Sequence, residues 1–168
     1  LMIPFCRSPE EGVQVKQILE KNQLGQDNGV PLFIMVELPS NVIEAERFIE
    51  EMDLFGGSIG TNDLVQTVYA VSRDDLEGYL HPVDARSPAV KSMVRKVIQT
   101  FRDSGLEIGI CGQAPSDHPD EYPPFLIDCG ITSISVTPDT AIAVRIAVQE
   151  AERKQKLLVD AIEVELDE

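Results

Sequence analysis

Short apolar runs and longer stretches with helical spacing alternate along this chain. Five short runs rich in apolar residues predict β-strands, and they cover residues 1–5, 31–37, 55–59, 106–111 and 131–136. Between them, apolar residues recur every three or four positions, which is the spacing of one face of an α-helix. The clearest such stretch begins at Ser87-Pro88 and carries Val90, Met93, Val94, Val97, Ile98 and Phe101. The pattern therefore predicts strand and helix in alternation.

Polar residues predict where several helices begin. Ser8-Pro9-Glu10-Glu11 and Asn41-x-x-Glu44 have the spacing of a capping box, which satisfies the first free amides of a helix. Thr137-Pro138-Asp139 is predicted to cap the last long helix. Residues 72–87 form the longest irregular stretch, and a loop of this length in a compact domain is more often functional than not.

Five strands, each followed by a helix, predict a parallel sheet with helices packed outside it. Two architectures remain open, a doubly wound sheet and a portion of a (β/α)₈ TIM-type barrel. No G-x-G-x-x-G follows any predicted strand, so the dinucleotide-binding form of the first has no support. A whole barrel takes about 250 residues. Five β/α units in 168 residues would be a barrel portion with two exposed edges.

Composition and charge narrow the class of protein. The formal net charge is -15, which argues against nucleic-acid binding because that needs a basic surface. No apolar run approaches the roughly 18 residues of a membrane span, so no membrane segment is expected. Three cysteines without a C-x-x-C pair favour a reducing, cytoplasmic location. We predict one domain over residues 1–155 and an acidic C-terminal tail over 156–168.

Carboxylates stand at the ends of two predicted strands. Glu37 ends the second strand, and Gly60-Thr61-Asn62-Asp63 follows the third. Each carboxylate alone has a simpler explanation, since Glu37 could pair with a basic residue, and Asn62 or Asp63 could cap the next helix. Two carboxylates at neighbouring strand ends instead predict a Mg²⁺ site. Gly60 lets the backbone approach closely, and Thr61 and Asn62 offer donors for a substrate carboxylate or oxyanion.

Cys111 ends the fourth predicted strand and has Gly109 and Gly112 around it, which leaves its sulfur accessible. It is either a small buried apolar side chain or an acid/base thiol tuned by a nearby cation. Cys6 and Cys129 are expected in the core or on a helix. His81 and His118 lie in predicted polar loops, and His118 is the better candidate for lining a site.

Four segments together resemble the C-terminal barrel domain of the phosphoenolpyruvate-utilising enzymes, with the phosphoenolpyruvate synthase (pyruvate, water dikinase) group as the most similar branch. They are Ile34 to Asn41 (IMVELPSN), Gly57 to Gln66 (GSIGTNDLVQ), Gly109 to His118 (GICGQAPSDH) and Ile131 to Thr140 (ITSISVTPDT). The segments occur in the family's order and at consistent strand ends. The resemblance implies a TIM-type (β/α)₈ fold, present here as about five units.

The resemblance also implies roles for the strand-end residues. Glu37 and Asp63 match the family's Mg²⁺ ligands, and Gly60, Thr61 and Asn62 match residues that contact pyruvate or phosphoenolpyruvate. All five are therefore expected at the substrate site.

Cys111 matches the proton donor of the family. The implied reaction is ATP-dependent conversion of pyruvate to phosphoenolpyruvate, with the phosphoryl group carried on a histidine of another domain. Neither His81 nor His118 lies in the family's phosphohistidine motif, and the strands that carry two substrate-binding arginines in the family are missing. We therefore expect a portion of a longer protein that is inactive alone.

Two alternatives remain open from sequence. The chain could be a catalytically incomplete module that serves assembly, in which exposed sheet edges pair with another chain. It could also belong to another Mg²⁺-dependent keto-acid barrel enzyme, such as a lyase, an aldolase or pyruvate, phosphate dikinase. For the phosphoenolpyruvate-utilising interpretation, we expect a homo-oligomer.

Overall fold

The computed structural model describes residues 1–72 and 83–166, with the backbone alone for residues 159–166. In this part of the chain, five parallel strands pair in sequence order to form one sheet. The strands are β1 (Met2–Ile3), β2 (Phe33–Val36), β3 (Gly56–Gly60), β4 (Glu107–Cys111) and β5 (Ser133–Ile134). The predicted α/β class with a parallel sheet is confirmed.

Helices follow each strand of the sheet. They are α1 (Pro9–Lys21), α2 (Pro39–Ile43), α3 (Ala45–Met52), α4 (Thr61–Tyr69), α5 (Pro88–Asp103), α6 (Ala114–Asp117), α7 (Tyr122–Cys129) and α8 (Ala141–Leu166), with a short 3₁₀ helix at Gln26–Asn28. Among the described residues, none of these helices is both long and apolar enough to cross a membrane. The helix α8 continues past residue 155, so the predicted tail begins inside a helix.

The core lies under the three middle strands. Ile59 on β3 and Ile108 on β4 are fully buried, and they belong to one cluster with Phe48 of α3 and Phe101 of α5. Gly57 makes this packing possible, because a Cβ at that position would come within 2.9 Å of Phe101 Cζ. The apolar face of α5 thus packs against the sheet, and Gly57 leaves the room that the Phe101 ring needs.

The sheet does not close into a barrel within the described residues. β1 pairs only with β2, and β5 pairs only with β4, each over two residue pairs. Large apolar side chains at the first edge are half exposed, among them Met2 and Phe5. The architecture is a five-unit open portion of the barrel type that the sequence predicts.

Several predicted boundaries need correction. The strand predicted over residues 131–136 is limited to Ser133–Ile134, because only one neighbouring strand supplies hydrogen-bond partners. The capping box predicted at Asn41 and Glu44 is wrong, since α2 already begins at Pro39. The predicted Ser8 cap is present, with Ser8 Oγ accepting from Glu11 N at 3.3 Å. Residues 73–82, which include His81, lie outside the described residues.

The start of the last helix also differs from the prediction. α8 begins at Ala141 rather than directly after Asp139. Val144 N donates to the Thr140 carbonyl at 3.0 Å, while Thr137 and Thr140 join their hydroxyl oxygens at 3.1 Å in the turn before the helix. Thr137 therefore stabilises the approach to α8, and Thr140 provides its first carbonyl acceptor.

Candidate functional site

The carboxyl ends of β2, β3 and β4 meet at one edge of the sheet. Val36 and Ile59 are partners in the β2–β3 register, so Glu37 and Gly60 follow side by side. Gly60 is in turn the partner of Cys111 in the β3–β4 register. Since parallel strands place their carboxyl ends together, the structure brings the sequence-predicted residues to one rim.

Glu37 is only 4% exposed. Its Oε1 accepts a hydrogen bond from Phe5 N at 2.6 Å. Burial raises the pKa of the Glu37 carboxyl, the Phe5 hydrogen bond opposes that change, and the nearby charge of Asp63 raises the pKa further. No lysine or arginine in the described part of the chain forms an ion pair with Glu37, so those residues give the simpler ion-pair explanation no support.

Gly60 holds the Glu37 side chain close to β3. A Cβ at Gly60 would lie 2.9 Å from Glu37 Oε2 and 3.0 Å from Met35 Cε. These distances are shorter than a normal contact, so any larger residue would displace the carboxylate or Met35. Glycine at this strand end is thus a packing requirement of the Glu37 position.

Thr61, Asn62 and Asp63 form the first turn of α4. The helix begins at Thr61 with Gly60 preceding it, and no side chain caps this end, which excludes the helix-cap explanation for Asn62 and Asp63. Asn62 Oδ1 accepts from Gln113 N at 3.3 Å, and Asp63 Oδ1 accepts from Gln66 Nε2 at 3.4 Å. Asp63 stays half exposed, which leaves its carboxylate open to the rim.

The Thr61 hydroxyl is the unusual group of this turn. The residue is 1% exposed, and Thr61 Oγ1 has no hydrogen-bond partner among the described residues. A buried polar atom without a partner is costly, and such groups cluster at binding and catalytic sites. A Cβ at Gly112, where φ is +126°, would collide with this hydroxyl, so glycine is needed on both steric and conformational grounds.

Cys111 is half-buried at the end of β4, and its Sγ lies 3.9 Å from Met35 Sδ. Met35 therefore lies beside both the thiol and Gly60, and sequence alone did not single it out. Cys6 and Cys129 are buried free thiols, as expected for core residues.

A pocket of about 130 Å³ lies beside the rim. Thr61, Asn62, Asp84, Gln113 and His118 are among its lining residues. His118 Nε2 lies 4.0 Å from Asp84 Oδ2. His118, the histidine that the sequence favours over His81 for lining a site, thus lies in the same pocket as Thr61 and Asn62.

Glu37 and Asp63 are only two protein ligands, so the kind of metal site they could form is limited. Within residues 1–72 and 83–166, no group of three or more His, Cys, Asp and Glu side chains forms a metal-binding cluster. Mg²⁺ is commonly bound through one or two carboxylates, with waters and substrate oxygens completing its shell. Glu37 and Asp63 fit that requirement, because they lie close enough to interact and no basic side chain within residues 1–72 and 83–166 forms an ion pair with Glu37.

The residues that hold Glu37 were not found from the sequence. Phe5 and Glu37 are separated by 32 residues, and Asn41, which bonds the Glu37 backbone, also bonds Cys6 O across 35 residues. The sequence singled out Asn41 through a capping pattern that proved wrong and as the last residue of a segment that resembles the family, and neither indicated a contact with Cys6. The position of Asn41 four residues after a buried strand-end carboxylate was the signal available.

An open parallel sheet with helices outside and polar groups at its carboxyl edge defines a portion of an α/β barrel protein. Solved structures support this class. A citrate lyase from Burkholderia xenovorans LB400 superposes with a TM-score of 0.64 at 15% identity, over 98% of this chain and 54% of that chain. The citrate lyase beta subunit from Mycobacterium tuberculosis, complexed with oxaloacetate and magnesium, gives 0.60 at 12% identity over 88% and 60%. These likenesses establish a shared fold.

Sequence comparison gives the family. The chain belongs to the PEP-utilising enzymes, matching the model of their PEP-binding domain over residues 1–153. Phosphoenolpyruvate synthase from Aquifex aeolicus is 45% identical over 159 residues, which is 94% of this chain and 18% of that protein. The Synechocystis enzyme of the same name is 46% identical over 90% of this chain and 18% of its own length. The resemblance inferred from the four segments is confirmed, and the chain spans less than a fifth of these relatives.

Proposed function

We propose that this chain is the pyruvate- and phosphoenolpyruvate-binding part of an enzyme like phosphoenolpyruvate synthase (pyruvate, water dikinase). The observation that carries the proposal is the buried Glu37 carboxylate, which lies near Asp63 and has no basic partner among the residues that the structure describes. The 45% identity to a phosphoenolpyruvate synthase supports it. A buried carboxylate of this kind needs a compensating positive charge, and a bound cation supplies one.

Glu37 and Asp63 would hold Mg²⁺ at the rim. When bound, the ion neutralises negative charge that develops on the substrate oxygens during the reaction. The proposal gains support from the magnesium complex of the citrate lyase beta subunit, which shares the fold. Glu37 contributes one oxygen already fixed by Phe5 N, and Asp63 contributes a more accessible carboxylate.

Gly60, Thr61 and Asn62 would contact the substrate. Gly60 would offer its backbone to the substrate, since the space where a side chain would stand is taken by Glu37 and Met35. The unpartnered Thr61 hydroxyl is available to donate to a substrate oxygen. Asn62 is held by Gln113 N through its Oδ1, so its side-chain amide nitrogen is left as a donor.

Cys111 would move the proton at carbon. In the direction of phosphoenolpyruvate formation, the Cys111 thiolate accepts a proton from the methyl carbon of pyruvate, and the C–H electron pair becomes the new C=C bond. The carbonyl oxygen then bonds to phosphorus as the phosphorus–nitrogen bond of a phosphohistidine breaks. In reverse, the thiol returns the proton to carbon. The half-buried sulfur beside Met35 is suited to an apolar reacting carbon.

The other steps belong to parts of the protein outside this chain. Because the chain spans 18% of its relatives, the ATP-binding and phosphohistidine domains would lie elsewhere in a longer enzyme. The isolated chain is expected to show no ATP-dependent turnover. It is expected to retain weak, Mg²⁺-dependent binding of oxalate, a planar mimic of the deprotonated pyruvate.

Titration calorimetry of oxalate with and without Mg²⁺ tests this function. Wild type should bind oxalate only when Mg²⁺ is present, and Asp63→Asn should abolish that binding. Asp27→Asn is the matched control. Asp27 is an exposed acid in the short 3₁₀ helix before β2, and therefore lies on the side of the amino ends of the strands, away from the rim. Oxalate binding that ignores Mg²⁺, or that survives Asp63→Asn, would contradict the proposal.

A second candidate function is that of another barrel enzyme that acts on a keto acid and uses Mg²⁺ held by the same two carboxylates. The fold shared with citrate lyases favours it, and so does the presence of oxaloacetate in one of those structures. Binding of oxaloacetate tighter than oxalate, with the same dependence on Asp63, would favour a lyase or aldolase. The third candidate, an assembly module, rests on the two open edges and predicts no response to either ligand.

A further inference from the structure

Asn41 is the most completely bonded buried polar side chain near the rim. It is 1% exposed, within the short helix α2 that follows β2. Asn41 Oδ1 accepts from Glu37 N at 3.2 Å and from Leu38 N at 3.0 Å, and Asn41 Nδ2 donates to Cys6 O at 2.7 Å. Both functional atoms of the amide are therefore in use, as burial of such a group requires.

These bonds reach Glu37 by two routes. The first is direct, because the two amides accepted by Asn41 Oδ1 fix the backbone at the point where β2 ends. The second passes through Cys6, whose carbonyl is held by Asn41 while the preceding residue, Phe5, donates its N–H to Glu37 Oε1. The side-chain amide of Asn41 thus links the segment after β1, which holds the Glu37 carboxylate, to the segment after β2, which carries it.

The Phe5 backbone needs this support. Its φ is +52°, a left-handed conformation that costs energy in a residue other than glycine and persists only where the surroundings fix it. The Phe5 side chain is half exposed and contributes little packing of its own. Holding Cys6 O is therefore a direct means of keeping the Phe5 N–H directed at Glu37.

We infer that Asn41 is a positioning residue for Glu37, one that fixes the carboxylate for cation and substrate binding without touching either. The inference rests on the proposed function for its role in binding, but its structural part stands on the hydrogen bonds alone. Hydrogen-bonded supports of metal-binding side chains typically change metal affinity by about 10- to 100-fold when they are removed. An effect of that size is expected here.

The test compares Asn41→Ala with Val97→Ala in this chain. Val97 is a fully buried residue of α5 in the same core, without a bond to Glu37, so its variant controls for loss of stability alone. Two quantities are measured, Mn²⁺ affinity by electron paramagnetic resonance and hydrogen exchange of the Phe5 amide by NMR. Asn41→Ala should weaken Mn²⁺ binding by about tenfold or more and expose the Phe5 amide. Val97→Ala should change neither.

The outcomes separate this inference from the proposed function. If Asn41→Ala keeps the Phe5 amide protected and Mn²⁺ affinity unchanged, Asn41 is only a structural residue and the inference is overturned. If wild type does not bind Mn²⁺, or if Glu37→Gln binds it equally well, the proposed function fails. Hydrogen exchange of the Phe5 amide then decides by itself whether Asn41 positions Glu37. Should Asn41→Ala not fold, Asn41→Ser, which keeps a hydroxyl but cannot span to Cys6, is measured in its place.

Discussion

The middle of the sheet and its two edges are built differently. β3 and β4 pair along five residues, while β1 and β5 each pair along two. All the candidate site residues lie at the ends of the three better-paired strands, where Glu37 is bonded and Gly60 is tightly packed. The site is thus supported by the most regular part of the fold, as a site that must hold fixed geometry requires.

The edges show what this portion of a barrel lacks. Each edge strand has hydrogen-bonding partners on one side only, and apolar residues at the first edge remain half exposed. Unpaired strand edges with apolar side chains favour pairing with further strands. The difference shows that the regular pairing at the rim is present in this open sheet, while the two edge strands are short and pair on one side only.

The largest expected change in the free energy of unfolding comes from comparing two isoleucines that pair across β4 and β5. Ile110 on β4 is 1% exposed, and its partner Ile134 on β5 is only half-buried. Ile110→Ala should lower the free energy of unfolding by about 2–5 kcal/mol, because it leaves a cavity in a closed core. Ile134→Ala should cost less, about 1 kcal/mol, because the edge already admits solvent. Urea unfolding of both variants measures the difference, and equal losses would contradict the contrast between middle and edge.

A somewhat smaller effect is expected at the rim itself. Gly60→Ala introduces a Cβ 2.9 Å from Glu37 Oε2 and 3.0 Å from Met35 Cε, and such overpacking costs about 1–3 kcal/mol. It should also displace the carboxylate and reduce Mn²⁺ affinity. Gly25→Ala is the control, since its Cβ meets only Glu20, with the flexible Cγ nearest at 3.1 Å. Thermal unfolding and Mn²⁺ titration measure both variants. Equal stability and equal Mn²⁺ affinity in Gly60→Ala and Gly25→Ala would contradict the packing role of Gly60.

Two threonines of α4 should respond in opposite directions. Thr61→Val removes a buried hydroxyl that has no partner in the part of the chain that the structure describes, and it should raise the free energy of unfolding by about 1 kcal/mol while weakening oxalate binding. Thr67→Val removes a hydroxyl that lies 3.0 Å from Glu37 O, and it should lower stability by about 1 kcal/mol. Chemical unfolding measures both changes, and a loss of stability in Thr61→Val would show that its hydroxyl is satisfied after all.

The same contrast explains how far the sequence could predict the fold. Apolar runs predict strands wherever burial is continuous, and β2, β3 and β4 match the prediction to within two residues. The fifth strand was predicted six residues long and has two, because it pairs with β4 alone and over only two residue pairs. Strand length depends on partners, and a local pattern carries no information about a missing neighbour.

For the site, strand-end polarity was enough to select residues but not to explain them. Glu37 and Asp63 stand out because carboxylates seldom follow apolar strands, and their interaction agrees with that selection. The supports of Glu37 come from Phe5 and Asn41, whose roles depend on a left-handed backbone and on contacts between distant segments. Such contacts leave no periodic signal, so they follow only from the folded chain.

The smallest expected change in stability concerns the first edge. Met2 on β1 is 44% exposed, so Met2→Lys should alter the free energy of unfolding by less than about 0.5 kcal/mol. A lysine on an edge strand opposes pairing with another strand, so the variant should self-associate less than wild type at high concentration. Ile18→Lys, at a residue 59% exposed on α1, adds the same charge away from the edge and should leave association unchanged. Sedimentation velocity measures all three proteins. If wild type stays monomeric, the predicted homo-oligomer is wrong, and if both variants dissociate equally, charge rather than the β1 edge governs association.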